Sequence, residues 1–234
     1  MNNPVLRGDL RARAGSRKLF AVEVFYLAVL GVLAWLGMPP ELGAQAADRT
    51  ASLTTALLVV QVVIVTYFAS ACAAQEIAVE SEKSSIDLVF APFAPAMIVA
   101  GKSVATAATV VYWLLLGAPF IALSAGIRQD AAAGLVSAGI FAAAVAWSMA
   151  QLGLWLGIVI EADVPRTVVH WGLLLAVFVG TLALPLPVRL LNPVLGIAAA
   201  QAGALPAAAY AAYLALGVAC DAAARLTLRR YVPA

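Results

Sequence analysis

The nearest approach to a nucleotide-binding pattern is Ala96-Met97-Ile98-Val99-Ala100-Gly101-Lys102-Ser103, whose Gly-Lys-Ser ending has the spacing of a phosphate-cradling loop. Such a loop turns successive backbone N–H groups toward phosphate, which requires glycine at its first position and a preceding strand. Here the first position is Ala96, the interior is apolar, and the run opens a long hydrophobic stretch. Nucleotide binding is not expected, and Lys102 is expected to snorkel, its stem in hydrocarbon and its ammonium at the headgroups. Metal chemistry fares no better. His170, the single histidine, has no ligand partner at helical spacing and reads as an interface residue with its hydrogen bonds satisfied. Cys72 and Cys220 lie in separate apolar stretches, without CxxC or Cys/His spacing, and read as small buried residues. Glu23, inside an apolar run, is a functional candidate by position, but a proton relay needs partners and none is close in sequence. Near the start of its run it can snorkel or pair with a neighbouring Arg or Lys. Gln61, Ser148 and Gln151 can line a cavity or bond a neighbouring helix, the latter being the commoner role. Glu161 and Asp163 read as the solvated cap of a short turn. No catalytic residue and no metal site are expected.

Composition explains why chemistry is so sparse. Of the 234 residues, 64% are hydrophobic and 11% charged, against about 45–50% and about 25% in an ordinary soluble domain. With a mean hydropathy of +0.99 there is too little polar surface to cover a globule in water. Disorder, a collagen-like rod, a secreted disulfide scaffold and a soluble nucleic-acid binder are excluded, and an integral membrane protein is left. A span needs roughly 20 apolar residues. Six runs qualify: Leu19–Met38, Leu53–Ala73, Met97–Ala125, Ala131–Ile160, Thr167–Leu184 and Leu205–Ala224. All should be helices, since the alternation of a barrel strand is missing and lipid admits only those two forms. With the connecting loops they fill residues 1–234 as one transmembrane domain, leaving no room for a separate soluble one.

Charge gives the orientation. One side would carry Arg7, Arg11, Arg13, Arg17, Lys18, Lys83, Lys102, Arg166, Arg225, Arg229 and Arg230; the other only Arg49, Arg128 and Arg189. The positive-inside rule places the larger group, and with it both termini, in the cytoplasm. A cleaved signal peptide ending near Ala44-Gln45-Ala46 is the competing reading of the N-terminus, but Leu19–Met38 is longer than the usual 7–15-residue apolar region.

Several segments are more than membrane filler. Before the first span, Leu6 and Leu10, Arg7 and Arg11, and Arg13 and Arg17 are each four apart, which on a helix gives an apolar strip flanked by guanidinium groups lying in the headgroup plane. Between Gln75 and Ser103 stand Glu76, Glu80, Glu82 and Asp87 with Lys83 and Lys102, four of the twelve acids in one loop on the basic side. Ile86, Leu88, Val89 and Phe90 follow as an apolar patch, and Pro92 and Pro95 should stop the helix before the next span. A short amphipathic helix built to dock and a solvated loop are both compatible with this pattern. On the far side, Pro185, Pro187 and Pro193 cut Leu184–Pro206 into pieces too short to cross, which favours re-entrant or interfacial helices over an apolar loop on the bilayer. Gly153-x-x-x-Gly157 would let a neighbouring helix approach closely.

Glu80-x-Glu82-Lys83, the small pair Ser84-Ser85, Ile86-Asp87-Leu88, Ala91-Pro92 and then Gly101-Lys102 entering the third span together resemble the first intracellular loop of type-2 ABC exporter permeases. The usual wording of that loop is E-x-E-x-G-T-L-E-L-L-L-x-T-P, ending in G-K. Asn3-Pro4-Val5-Leu6-Arg7 and the Arg-rich segment after it are similar to the elbow helix of such permeases, and the six-span layout covers the whole chain. Ser84 replaces the glycine, Ser85 the threonine, and Ala91 the threonine before proline.

The resemblance implies an all-α integral membrane permease. Six transmembrane helices would be joined by an interfacial elbow helix at residues 1–18, with Arg7, Arg11, Arg13 and Arg17 at the headgroups. A cytoplasmic coupling helix would lie within residues 74–96, between spans two and three, and an outer re-entrant segment at residues 185–204. Glu80, Glu82, Lys83, Ile86, Asp87, Leu88 and Phe90 would contact a separate ATP-binding subunit, the charged residues setting register and the apolar ones giving the buried anchor. Two copies of that subunit, which would carry ATP and Mg, are implied, along with a second permease, identical or related, in the cytoplasmic (inner) membrane. This chain would bind no cofactor and no nucleic acid. An enzyme or scaffold acting on lipid-linked groups is the alternative. An enzyme would need a catalytic cluster that one histidine and scattered acids do not supply. A secondary transporter would show ionisable residues at broken mid-membrane helices, and those are missing.

Overall fold

The computed structural model describes residues 8, 15–39, 44–82, 95–126, 132–185 and 188–231. Every regular element among them is helical: α1 (Arg17–Gly37), α2 (Ala44–Glu82), α3 (Pro95–Ala125), α4 (Ala132–Val159), α5 (Asp163–Phe178), α6 (Pro193–Gln201) and α7 (Ala207–Tyr231), with single 3-10 turns at Gly180–Ala183 and Val188–Leu191. Six stretches are long and apolar enough to cross a bilayer: Leu19–Gly37, Asp48–Gln75, Met97–Ala125, Ala132–Val159, Asp163–Ala183 and Ala207–Leu228. They coincide, to within a few residues at most ends, with the six apolar runs of the sequence. The chain is thus an all-helical, multi-pass membrane protein.

Local chemistry sets the helix ends. Ser16 caps α1, its hydroxyl accepting from the Leu19 N–H at 3.4 Å, and Pro39 and Pro40 prevent continuation beyond Met38. At the far end of α2 the sequence has no breaker. Ala73, Ala74, Gln75, Glu76, Ala78 and Glu80 are all good helix formers, so α2 runs without interruption to Glu82. Residues 74–82 are therefore the last turns of the second span's own helix and not part of a separate short one. Pro95 likewise opens α3 where a stop was expected, because the first turn of a helix has no use for its missing N–H.

The helices alternate in direction. Gln61 of α2 meets Leu114 of α3 and Thr54 meets Ser124, an antiparallel order. On α4, Gly153 and Gly157 face Ser70 and Ala74 of α2, a parallel order. Ser137 and Trp147 of α4 lie against Tyr210 and Gly217 of α7, again parallel. Tyr26 and Gly31 of α1 lie against Trp113 and Phe120 of α3. So α1, α3 and α5 run one way and α2, α4 and α7 the other, as six successive crossings require. Arg17, Glu161 and Arg225 consequently share one end of the bundle, called here the basic end, and Asp48, Arg49 and Arg189 the opposite end.

Helix α2 packs most heavily on α4 and also meets α1, α3, α5 and α6, while α4 packs on α7 and α6. Lipid tails are as apolar as leucine, so this association rests on close packing and small residues. A Cβ on Gly153 or Gly157 would collide with the Ser70 or Ala74 carbonyl, so the two backbones touch there. The α2–α4 seam exists because those positions carry no side chain.

Candidate functional site

Four groups of polar side chains among the described residues bear on function. The first lies between α2 and α5. The His170 Nε2 is 2.8 Å from the Ser70 hydroxyl, which bonds back to Thr66 O at 2.6 Å and Tyr67 O at 3.0 Å. Tyr67 stacks over the imidazole with ring centroids 6.2 Å apart and lies 4.8 Å from the Trp171 ring. His170 is buried with its partner supplied, the role read for it in the sequence. One turn earlier Arg166, 3% exposed, donates to Ile160 O and Glu161 O, each at 3.2 Å, and pairs with Asp163. The guanidinium thus neutralises the carbonyls left over at the end of α4, where the helix dipole favours a cation. Asp163 is one half of this cap. Alongside runs an apolar groove of about 290 Å³ lined by Val63, Tyr67, Phe68, Trp171, Leu175 and Phe178, among others.

The second place joins α1, α2 and α3. The Tyr26 hydroxyl donates to Trp113 O at 3.1 Å and the Gln61 amide to Leu114 O at 2.8 Å. Gly117 provides the space, since a Cβ there would strike the Tyr26 oxygen. Gln61 therefore bonds a neighbouring helix.

The third place is α7. Asp221 and Arg225, one turn apart within the sixth span, form an ion pair at 2.7 Å. Sequence reasoning passed over this pair, although an acid and a base four residues apart inside an apolar run is a legible signal. One Asp221 carboxylate oxygen and the Arg225 Nε are buried without a partner, as are both amide atoms of Gln151 on α4. Ser148, by contrast, is satisfied by Val145 O of its own helix at 2.8 Å.

Lys102 is the fourth. It is 1% exposed, so its ammonium is enclosed and does not reach out to the headgroups as expected. Residues 97–103 are continuous α3, and their N–H groups face along the helix instead of converging on a phosphate. Neither cysteine is in a disulfide. Among the described residues no three His, Cys, Asp or Glu side chains come together in a way that could hold a metal.

Of the residues expected to meet an ATP-binding subunit, Glu80 and Glu82 lie on the last turn of α2. Lys83, Ile86, Asp87, Leu88 and Phe90 lie outside the described residues, as do Arg7, Arg11 and Arg13. Arg17 is the first residue of α1. In the far segment, residues 185–204, Asn192 accepts from Val194 N and Leu195 N at 2.9 and 3.2 Å and donates to Phe178 O and Thr181 Oγ1 at 2.8 and 2.9 Å. One buried amide thus caps α6 and ties it to the end of α5.

Compared with known proteins, the chain matches no family model and no curated protein.

Proposed function

We propose that the chain is the membrane-spanning permease subunit of an ATP-driven exporter of the type-2 ABC kind. The observation that carries this reading is the length of α2. Its apolar part ends at Gln75, yet the helix continues to Glu82 and takes Glu76, Glu80 and Glu82 with it. Seven residues at 1.5 Å each extend about 10 Å beyond the hydrocarbon. The chain re-enters at Pro95. An acidic stalk followed by Ile86, Leu88 and Phe90 suits a partner groove with a basic rim and an apolar floor. The ATP-binding subunit would supply that groove together with ATP and Mg, and its closure would move α2 and α3 through the segment between them.

A second permease is supported by the distribution of burial. The spans of α1 and α5 are the least buried of the six, leaving two apolar flanks for another subunit. The groove between α2 and α5, apolar and walled by aromatic rings, suits a hydrophobic or amphipathic substrate arriving from the bilayer. The basic end would face the cytoplasm and the protein would reside in the inner membrane.

Charge reversal tests the contact. Glu80→Lys with Glu82→Lys should leave the protein in the membrane at normal level and reduce the ATP-binding subunit recovered on purification in mild detergent by tenfold or more. Recovery equal to wild type would remove the docking assignment. A wild-type preparation that carries no ATP-binding subunit even after crosslinking would remove the exporter reading itself.

A further inference from the structure

We propose that α3 is a two-segment helix hinged at Gly117–Pro119, with the Tyr26 hydroxyl and the Gln61 amide acting as a latch on the turn just before the hinge. Pro119 lies inside α3, which is continuous from Pro95 to Ala125. Having no N–H, it cannot close onto Leu115 O, and its ring pushes against that carbonyl, the common origin of a helix kink. Gly117, two residues earlier, removes the side chain that would otherwise stiffen the same turn. Two weak points within three residues define a pivot. Helices in lipid tolerate such a pivot when neighbours satisfy the loosened backbone.

The neighbours here are specific. Tyr26 of α1 bonds Trp113 O and Gln61 of α2 bonds Leu114 O, so two helices hold the carbonyls of adjacent residues in the turn before the pivot. Both donors reach α3 across Gly117, where any Cβ would collide with the Tyr26 oxygen and crowd the Gln61 nitrogen. The glycine thus weakens the helix and admits the latch at one position. Beyond the pivot the short outer segment is fastened separately. Ser124 lies 3.0 Å from the Thr54 hydroxyl, and the Phe120 ring covers Gly31. The outer segment is thereby anchored to α1 and α2 by contacts that do not pass through the latch. Simple helix-to-helix glue would account for either hydrogen bond alone. It does not account for both falling on consecutive carbonyls beside a glycine and an internal proline. The inference does not depend on the exporter reading.

The test uses the purified full chain in nanodiscs. Cys72 and Cys220 are replaced by alanine, and spin labels are attached at Val104→Cys and Leu123→Cys, positions 41% and 58% exposed on the two segments of α3. On a straight helix the nineteen intervening steps would span about 28 Å. Pro119→Ala should lengthen the interlabel distance toward that value and narrow its distribution. Tyr26→Phe with Gln61→Leu, which keeps the ring stacking of Tyr26 on Trp113, should broaden it. Amide exchange over residues 113–118 should accelerate on the order of tenfold in the same double variant. Wild type, Pro119→Ala and the double variant giving one and the same narrow distribution would overturn the hinge. A distribution equally broad in all three would place the flexibility elsewhere and overturn it too.

Discussion

At the scale of single residues, what holds this bundle together is the absence of side chains at chosen places. Gly153 and Gly157 bring α4 against the α2 backbone, whereas a Cβ at Gly139 or Gly172 meets nothing within 4 Å. Glycine inside a helix costs roughly 0.5–1 kcal/mol relative to alanine, so the sign of a Gly→Ala change depends on which of these settings it enters. Gly139→Ala and Gly172→Ala should raise the unfolding midpoint in detergent slightly. Gly153→Ala and Gly157→Ala must push apart two backbones, which cannot yield as a flexible side chain would, and should destabilise by about 1–3 kcal/mol. Equal shifts at all four positions would show that the α2–α4 seam contributes no more than helix propensity. The glycine spacing is visible in the sequence, but the helix that comes against it is not, since Ser70 and Ala74 lie more than eighty residues away. Lys102 shows the same limit in reverse. Snorkelling is a sound expectation for a lysine near the end of an apolar run, yet the side chain is enclosed, which sequence position alone does not determine.

At the scale of elements, the six spans were legible because hydrocarbon imposes a length and a polarity on each helix independently of its neighbours. Elements outside that solvent were not. The continuation of α2 to Glu82 follows from helix propensity alone, which gives way to tertiary context too readily to be decisive. Between α5 and α7 the prolines announced short pieces. Asn192-Pro193 is the start of one of them, α6, with Asn192 as cap and Pro193 at the first helical position. The other end of α6 closes with Gly203 at φ +71°, its N–H bonded to Ala200 O and that of Ala204 to Ala199 O. Because Asn192 is fully buried, both halves of its amide are needed. Asn192→Ala removes the cap, worth about 1 kcal/mol, and takes the amide donor from Phe178 O and Thr181 Oγ1, at about 1 kcal/mol for each bond lost, while Thr181 still donates to Val177 O. Asn192→Asp keeps the capping oxygen but sets a carboxylate against the Phe178 carbonyl. It should be at least as damaging as alanine in thermal unfolding. Asp tolerated as well as Asn would mean that the bonds to α5 contribute nothing, and that α6 is held by its packing on α2 and α4.

At the scale of the whole molecule, alternation of the helices and the placement of charge have to agree, and they do. Packing alone puts Arg17, Arg166 and Arg225 at one end and Arg49 and Arg189 at the other. With Lys18, Lys102, Arg229 and Arg230, seven of the described basic residues stand at the first end against two at the other. Inverting the protein would carry that excess across the bilayer against a rule that acts on cationic loops near the span ends. The prediction is a single orientation with the basic end in the cytoplasm. In a background lacking Cys72 and Cys220, Glu161→Cys tests the turn between α4 and α5, while Asp48→Cys and Ala204→Cys test the opposite end. All three positions are exposed. A membrane-impermeant maleimide added to intact cells should label Asp48→Cys and Ala204→Cys, and should reach Glu161→Cys only after the membrane is permeabilised. The reverse pattern would place Glu80 and Glu82 outside the cell, where no ATP-binding subunit could meet them. The docking segment would then need another partner. Labelling of all three in intact cells would mean that the chain inserts both ways round, and that its charge asymmetry does not set its orientation.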